Sequence, residues 1–160
     1  MSFTSCISGS GNDVQSGKPG EILTSQLATG VFGGIKNWSL LSKVNAGETS
    51  SAFNWSGGNK GSWSVTTPLN RPFVLSLKAG TAWSAYYFAN VSAITQGTWD
   101  TLGVVGQKAG QDLSHASIFV ADDDNPPKPV EVPEPTGLGA LALAGVFGLK
   151  KLRKAVRSEA

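Results

Sequence analysis

Hydrophobic and polar residues alternate along most of the middle of the chain, which indicates β-strands. In segment 73–78 the odd-numbered residues are Phe, Leu and Leu, so one face of an extended strand is apolar. Residues 79–81 (Ala-Gly-Thr) have the composition of a turn, and 83–88 resumes a β-rich aromatic run. The sequence therefore predicts a β-hairpin over 73–88.

Five further segments have strand-like composition and are separated by glycine- and asparagine-rich breaks such as residues 56–61. They are 37–45, 50–55, 61–67, 97–102 and 114–121, and in the last of them Ala116, Ile118 and Val120 share a face. No convincing helical period interrupts them. Many short strands joined by glycine turns favour an all-β, antiparallel β-sandwich, jelly-roll-like, over residues 21–121, preceded by an irregular segment 1–20.

The end of the chain has a different pattern, with three parts in a fixed order. Val132, Pro133, Glu134 and Pro135 form a turn motif, and residues 136–149 carry no charge. Five basic residues follow: Lys150, Lys151, Arg153, Lys154 and Arg157. An apolar run closed by Lys and Arg is typical of a membrane-spanning segment whose basic side, here 150–160, stays in the cytoplasm. The 14 residues span about 21 Å as a helix, so Lys150 and Lys151 would have to extend outward to reach the bilayer surface. A buried core helix or a frayed end is the alternative for this run.

This three-part tail resembles the PEP-CTERM sorting signal of bacteria. The resemblance covers about 25 of the 160 residues, and the order, spacing and C-terminal position of the three parts all agree. It implies that a membrane enzyme of the exosortase type recognises and processes the tail. The body more loosely resembles the β-rich domains that precede such signals in cyanobacteria, which assigns no activity.

The charge of the chain changes the picture of its partners. The formal net charge is +2, but five of the 13 basic residues lie in the tail. The remainder has 8 basic and 10 acidic residues, so the sequence gives no electrostatic argument for nucleic-acid binding. Residues 122–135 combine an acidic cluster with five prolines, which predicts a semi-rigid linker, and the cluster lacks the staggered spacing of a calcium loop.

The first 20 residues have no basic and then apolar pattern of a secretory signal peptide. Two explanations stay open: the natural start lies upstream of Met1, or the tail alone inserts the protein. PEP-CTERM proteins normally carry an N-terminal export signal, which favours the first.

Five tryptophans are candidates for binding sugars, because indole faces stack on sugar rings. Four of them precede a serine: Trp38, Trp55, Trp63 and Trp83, and Trp99 precedes an aspartate. The alternative is that strand alternation turns each tryptophan into the core. The sequence favours the core and leaves one or two tryptophans as possible sugar platforms.

Catalytic chemistry has little support in the sequence. His115 is the only histidine, and no nucleophile motif marks a serine partner for a Ser-His-Asp set. The carboxylates available for glycoside hydrolysis show no convergent placement: Asp13, Glu21, Glu48, Asp100, Asp112 and the cluster 122–124. The lone Cys6 excludes an intrachain disulfide and a cysteine metal cluster, and no metal or cofactor motif is present.

The sequence thus predicts an exported, non-enzymatic β-sandwich protein that acts at the cell surface or in the extracellular polysaccharide matrix. Its expected partners are the membrane, an exosortase-type enzyme and extracellular polysaccharide. A carbohydrate-binding module, a small hydrolase using His115 and a permanently anchored single-pass protein are the alternatives.

Overall fold

The computed structural model describes residues 2–104 and 111–122. Within these ranges the chain forms eight strands and one helix. The elements in order are β1 Ser5–Ser10, α1 Ile22–Ala28, β2 Trp38–Asn45, β3 Phe53–Gly57, β4 Lys60–Leu69, β5 Phe73–Ala79, β6 Ala82–Phe88, β7 Ile94–Asp100 and β8 Leu113–Ala121. All of them belong to one compact unit, Met1–Pro127.

The strands divide into two antiparallel sheets. The larger sheet has the order β1-β6-β5-β8-β2, and the smaller has the order β3-β4-β7. The all-β, two-sheet prediction is confirmed for the described residues. The C-terminal helix and the linker of that prediction lie outside them, as do the sorting motif and the basic residues that follow.

The predicted hairpin over 73–88 is present as β5 and β6. The two strands pair from Phe73 opposite Phe88 to Ala79 opposite Ala82, which leaves Gly80 and Thr81 as a two-residue loop. Gly80 adopts φ 56, a left-handed conformation that glycine tolerates best. The turn chemistry read from the sequence therefore sets the register of the central pair of strands.

An inner core fills the space between the two sheets. It contains the face of β5 predicted to be apolar, together with Phe53 of β3 and Ile118 of β8. Ala116 and Val120 also contribute to it, so the predicted shared face of β8 is confirmed. Phe73 stacks on Phe88 with ring centroids 4.5 Å apart. Burial of these side chains is the main force that holds the sheets together.

An outer core covers the opposite face of the larger sheet. Leu23 and Leu27 of α1 pack there with Phe32, and Val74 and Phe119 come from the sheet. The central strands β5 and β8 are consequently buried on both faces. Burial on both faces favours apolar residues at successive positions, as in 73–75 of β5 and 118–121 of β8. Both strands also carry buried polar residues, namely Ser76, His115 and Ser117.

The prediction that residues 1–20 are irregular is wrong for part of that segment. Ser5–Ser10 is an edge strand that pairs with β6, and Val14 is buried in the outer core. Only Ile7 of β1 packs against a core, so the strand has no apolar alternation to reveal it. A second correction concerns Ile22–Ala28, which is a helix although the sequence was expected to contain only strands from residue 21.

Candidate functional site

The five tryptophans named as candidate sugar platforms lie mainly in the interior, as the sequence favoured. Trp63, Trp83 and Trp99 are 3%, 0% and 7% exposed. Trp63 and Trp99 belong to the inner core, and Trp83 belongs to the outer core. The recurring Trp-Ser pattern therefore reflects strand alternation, with the indole directed inward.

The remaining two tryptophans are partly buried and held by hydrogen bonds to the main chain. Trp38 Nε1 donates to the carbonyl of Ile35 at 3.0 Å, and Trp55 Nε1 donates to the carbonyl of Val44 at 2.9 Å. Trp55 also meets Trp99 edge to face, with ring centroids 5.7 Å apart. The structure agrees with the core position that the sequence favoured, because each of the five indoles packs against a core. Trp38 and Trp55 stay partly exposed, and sugar stacking on either of them stays a prediction.

A cleft lies between the two sheets on the side of β7. Residues of β7 from the smaller sheet and residues of β5, β6 and β1 from the larger sheet line it. The resulting cleft has a volume of about 410 Å³. Its floor is the β5–β6 surface with Leu75 and Tyr86, and β7 forms its inner wall with Trp99 and Asp100.

Cross-strand register brings the side chains of the cleft together. Tyr86 lies directly opposite Leu75 on β5 and Cys6 on β1, so the three form one row across the sheet. Phe3, which is 50% exposed, packs edge to face on Tyr86 with ring centroids 5.1 Å apart. This site joins Phe3 and Cys6 with residues of the segment 75–103. No local motif in the sequence marks it.

The polar groups of the cleft are fixed in position. Asp100 Oδ1 accepts the N–H of Leu102 at 3.0 Å, which holds the carboxylate at the rim. Burial raises the pKa of Tyr86 above its ordinary 10.0, a hydrogen bond with Ser84 works against the rise, and the charges of Cys6 and Asp100 add to it. The Tyr86 hydroxyl is therefore a protonated donor at neutral pH. A Cβ at position 103 would clash with that hydroxyl, so a larger residue in place of Gly103 would require the Tyr86 side chain to shift.

His115, the candidate base, is buried beneath the outer core. Its Nε2 lies 2.7 Å from Asp13 Oδ1, and the two residues are 5% and 0% exposed. Ser76 Oγ donates to the other carboxylate oxygen of Asp13 at 2.6 Å. The serine thus binds the carboxylate and not the imidazole, which is the wrong order for activating a nucleophile. The arrangement supports a structural role for His115.

The Asp13 carboxylate is stabilised in its charged form. Burial raises its pKa, but the hydrogen bond and charge interaction with His115, followed by the bonds from Ser76 and the Val14 N–H, outweigh burial and lower the pKa below 3.8. Neither residue type nor spacing revealed this pair, because its members are 102 positions apart.

The other candidate carboxylates have separate partners. Glu21 accepts the N–H groups of Gln15, Ser16 and Gly17, and Asn45 Nδ2 donates to Glu48 at 2.8 Å. Asp122 accepts the hydroxyl of Ser39 at 2.7 Å. Asp112 lines a different surface depression from Asp100, and Asp123 and Asp124 lie outside the described residues. These interactions brace loops and show no pairing suited to glycoside hydrolysis.

Among residues 2–104 and 111–122, no group of three potential metal ligands comes together. In the same part of the chain, no helix is both long enough and apolar enough to cross a membrane. Both the sorting motif 132–135 and the basic residues after position 149 fall outside the described ranges, and their assignments stay predictions.

The fold and the cleft define a class of protein. It is a two-sheet, antiparallel all-β protein with a small aromatic cleft between β7 and the larger sheet. Comparison of the chain with protein-family models, curated proteins and solved structures finds no match.

Proposed function

We propose that this protein is exported to the cell surface or extracellular matrix of a bacterium, where its β-domain has an adhesive or structural role and no catalytic one. The observation that carries the proposal is the tail: a Pro-Glu-Pro motif at 133–135, an uncharged run 136–149 and five basic residues, in that order. The membrane and an exosortase-type enzyme are the partners that this order implies.

The tail would act as a temporary anchor. Its apolar run of 14 residues, helical in the proposal, spans about 21 Å, and the ammonium groups of Lys150 and Lys151 would reach the headgroup region. The basic residues would keep the C-terminus in the cytoplasm. Proline on both sides of Glu134 disfavours helix, so the motif would be extended when a processing enzyme binds it.

The finer fold assignment, a jelly-roll-like sandwich, belongs to the same proposal. It is supported by eight antiparallel strands in two sheets within the described residues. The domain has a core on each face of its central strands. The linker 122–135, with its prolines, would hold the domain away from the membrane until the tail is removed.

The mass of the mature protein tests the proposal. We expect intact-mass measurement on protein isolated from a bacterium with an exosortase-type enzyme to show loss of the residues after the Pro-Glu-Pro motif. Glu134→Ala should block this loss, whereas Glu131→Ala, three residues earlier in the same linker, should not. A tail retained in the wild-type protein would contradict processing and favour a permanent anchor.

A further inference from the structure

The cleft between β7 and the larger sheet has no assigned ligand. Its lining includes aromatic, hydroxyl-bearing and acidic side chains, among them Phe3, Tyr86, Trp99, Thr98 and Asp100, together with Leu75. We propose that it binds one or two rings of a neutral glycan. This inference rests on the proposed surface role and gives it a molecular target. The exposed aromatic contacts come from Phe3 and Tyr86, whereas Trp99, which is 7% exposed, lines the inner wall.

Aromatic surface is the first reason for a sugar. Phe3 is half exposed, and Tyr86 is partly exposed beside it, with an angle of 60° between the two rings. The axial C–H groups of a sugar ring pack well on such faces. Trp99 is fixed by its bond from Nε1 to the carbonyl of Ser62 at 3.2 Å, so the inner wall is rigid. A rigid wall lowers the ordering cost of binding.

The polar groups are the second reason. Asp100 is exposed, and its carboxylate can accept two sugar hydroxyls, as carboxylates accept paired donors. Tyr86 and Thr98, which both carry hydroxyls, also line the cleft. Hydroxyl and carboxylate groups close to aromatic rings match a polyol, which presents both C–H and O–H groups to the protein.

The charge and the size of the cleft restrict the class of ligand further. The lining contains a carboxylate and no lysine or arginine, so a sulfated or uronic polymer would be repelled by Asp100. The volume of about 410 Å³ is near the low end of the roughly 300–1,000 Å³ range of small-ligand pockets. A monosaccharide or disaccharide unit is the appropriate size.

A quaternary ammonium ion is the main competitor, since aromatic rings beside a carboxylate also attract cations. Such an ion makes no hydrogen bonds. Its entry would remove the polar groups that line the cleft from water without offering them a hydrogen bond, which costs binding energy. A neutral sugar satisfies them, so the cleft favours the sugar.

The test uses the full chain and titration calorimetry with neutral cello-, manno- and xylo-oligosaccharides, tetramethylammonium and dextran sulfate. We expect binding to at least one neutral oligosaccharide, accompanied by a change in tryptophan fluorescence from Trp99. Phe3→Ala and Asp100→Asn should each weaken binding about tenfold. Ile22→Ala, which truncates an apolar residue 43% exposed and away from the cleft, should leave affinity unchanged.

Three results would overturn the inference: no binding to any neutral oligosaccharide, preference for tetramethylammonium or dextran sulfate, or wild-type affinity in both cleft variants. Circular dichroism checks that the variants are folded. We expect Asp100→Asn to fold, because it keeps the side-chain oxygen that accepts the Leu102 N–H. Glycan binding with an uncut tail would sustain this inference and defeat the processing proposal. A cut tail without glycan binding would support the processing proposal and contradict this inference.

Discussion

At the scale of single residues, two buried serines show how much a partner decides. Ser76 and Ser117 lie directly opposite each other on β5 and β8, and both are 0% exposed. Ser76 donates to Asp13 at 2.6 Å, whereas the Ser117 hydroxyl has no hydrogen-bond partner. The same residue type in the same row of one sheet therefore has opposite energetic consequences.

We expect Ser76→Ala to lower the free energy of unfolding by about 2 kcal/mol, because Asp13 loses a charge-assisted hydrogen bond in the interior. Ser117→Ala removes a hydroxyl that is buried without a partner, so it should be neutral or stabilise by up to about 1 kcal/mol. Urea denaturation of the two variants measures both values. Equal losses would contradict the Asp13–Ser76 bond.

The acid stability of the protein follows from two carboxylates. The pKa of Asp13 is lowered from 3.8. For Glu21, burial raises the pKa, but the hydrogen bonds from Ser16, Gln15 and Gly17 outweigh burial and lower the pKa from 4.5. A lowered folded pKa gives stability that is fully present above the unfolded pKa and is lost as the pH falls through the folded value. We therefore expect the free energy of unfolding to decrease as the pH drops below about 5.

Glu21→Gln should flatten this acid dependence and lower neutral-pH stability by about 1 kcal/mol, since an amide offers one acceptor oxygen in place of two. Asp112→Asn is the matched control, because that exposed carboxylate makes no hydrogen bond in the described structure. Unfolding curves from pH 2 to pH 7 supply the comparison. An acid slope unchanged by Glu21→Gln would contradict the role given to the loop at residues 15–17.

At the scale of elements, two strands use a glycine to make room for a tryptophan on the neighbouring strand. Gly9 lies opposite Trp83, and Gly97 lies opposite Trp63. A Cβ on Gly97 would be 2.7 Å from the Trp63 indole, and one on Gly9 would be 2.5 Å from Trp83. The indole covers the gap that the glycine leaves, so each pair stabilises its strands as a unit.

Gly97→Val should destabilise the protein by about 2 kcal/mol, although valine has the higher β-propensity, because its side chain would displace the buried Trp63 indole. Gln96→Thr, at the exposed neighbouring position, should change stability by less than about 0.5 kcal/mol. Thermal unfolding and near-UV circular dichroism report stability and indole packing. An increase in melting temperature for Gly97→Val would refute this account.

The elements also show which patterns the sequence reveals. Segments buried on one or two faces were predicted near their observed positions, as with 37–45 and β2 or 114–121 and β8. The strand at 97–102 was shifted, because β7 begins at Ile94 and its inward positions include Gly97. The edge strand β1 and the 7-residue helix α1 were missed, since each has few buried side chains.

At the scale of the whole molecule, the N-terminal segment completes both faces of the larger sheet. Strand β1 pairs with β6, and the next residues supply Asp13 and Val14, which are 0% and 1% exposed. Removing this segment would expose the outer core and leave His115 and Ser76 facing no carboxylate. The N-terminus is therefore part of the domain.

A variant lacking residues 1–20 should fail to fold, since the lost contacts are comparable with a total stability of about 5–15 kcal/mol. A variant lacking residues 123–160 is the control and should unfold cooperatively, because residues 2–122 contain all the described strands. Far-UV circular dichroism and thermal melts distinguish the two. A cooperative transition in the first variant would contradict the assignment of residues 1–20 to the domain.

The sequence by itself determined the features that depend on neighbouring residues. These are the strand alternation, the turn at 79–81, the all-β class and the three-part order of the tail that is the proposed sorting signal. Only the tertiary structure decided which distant residues meet. It paired Asp13 with His115 and assembled the cleft from Phe3, Tyr86 and Trp99. The physical reason is that the alternation along a strand fixes the face on which a side chain lies. The order of the strands and the packing of the two sheets fix which residues that face contacts.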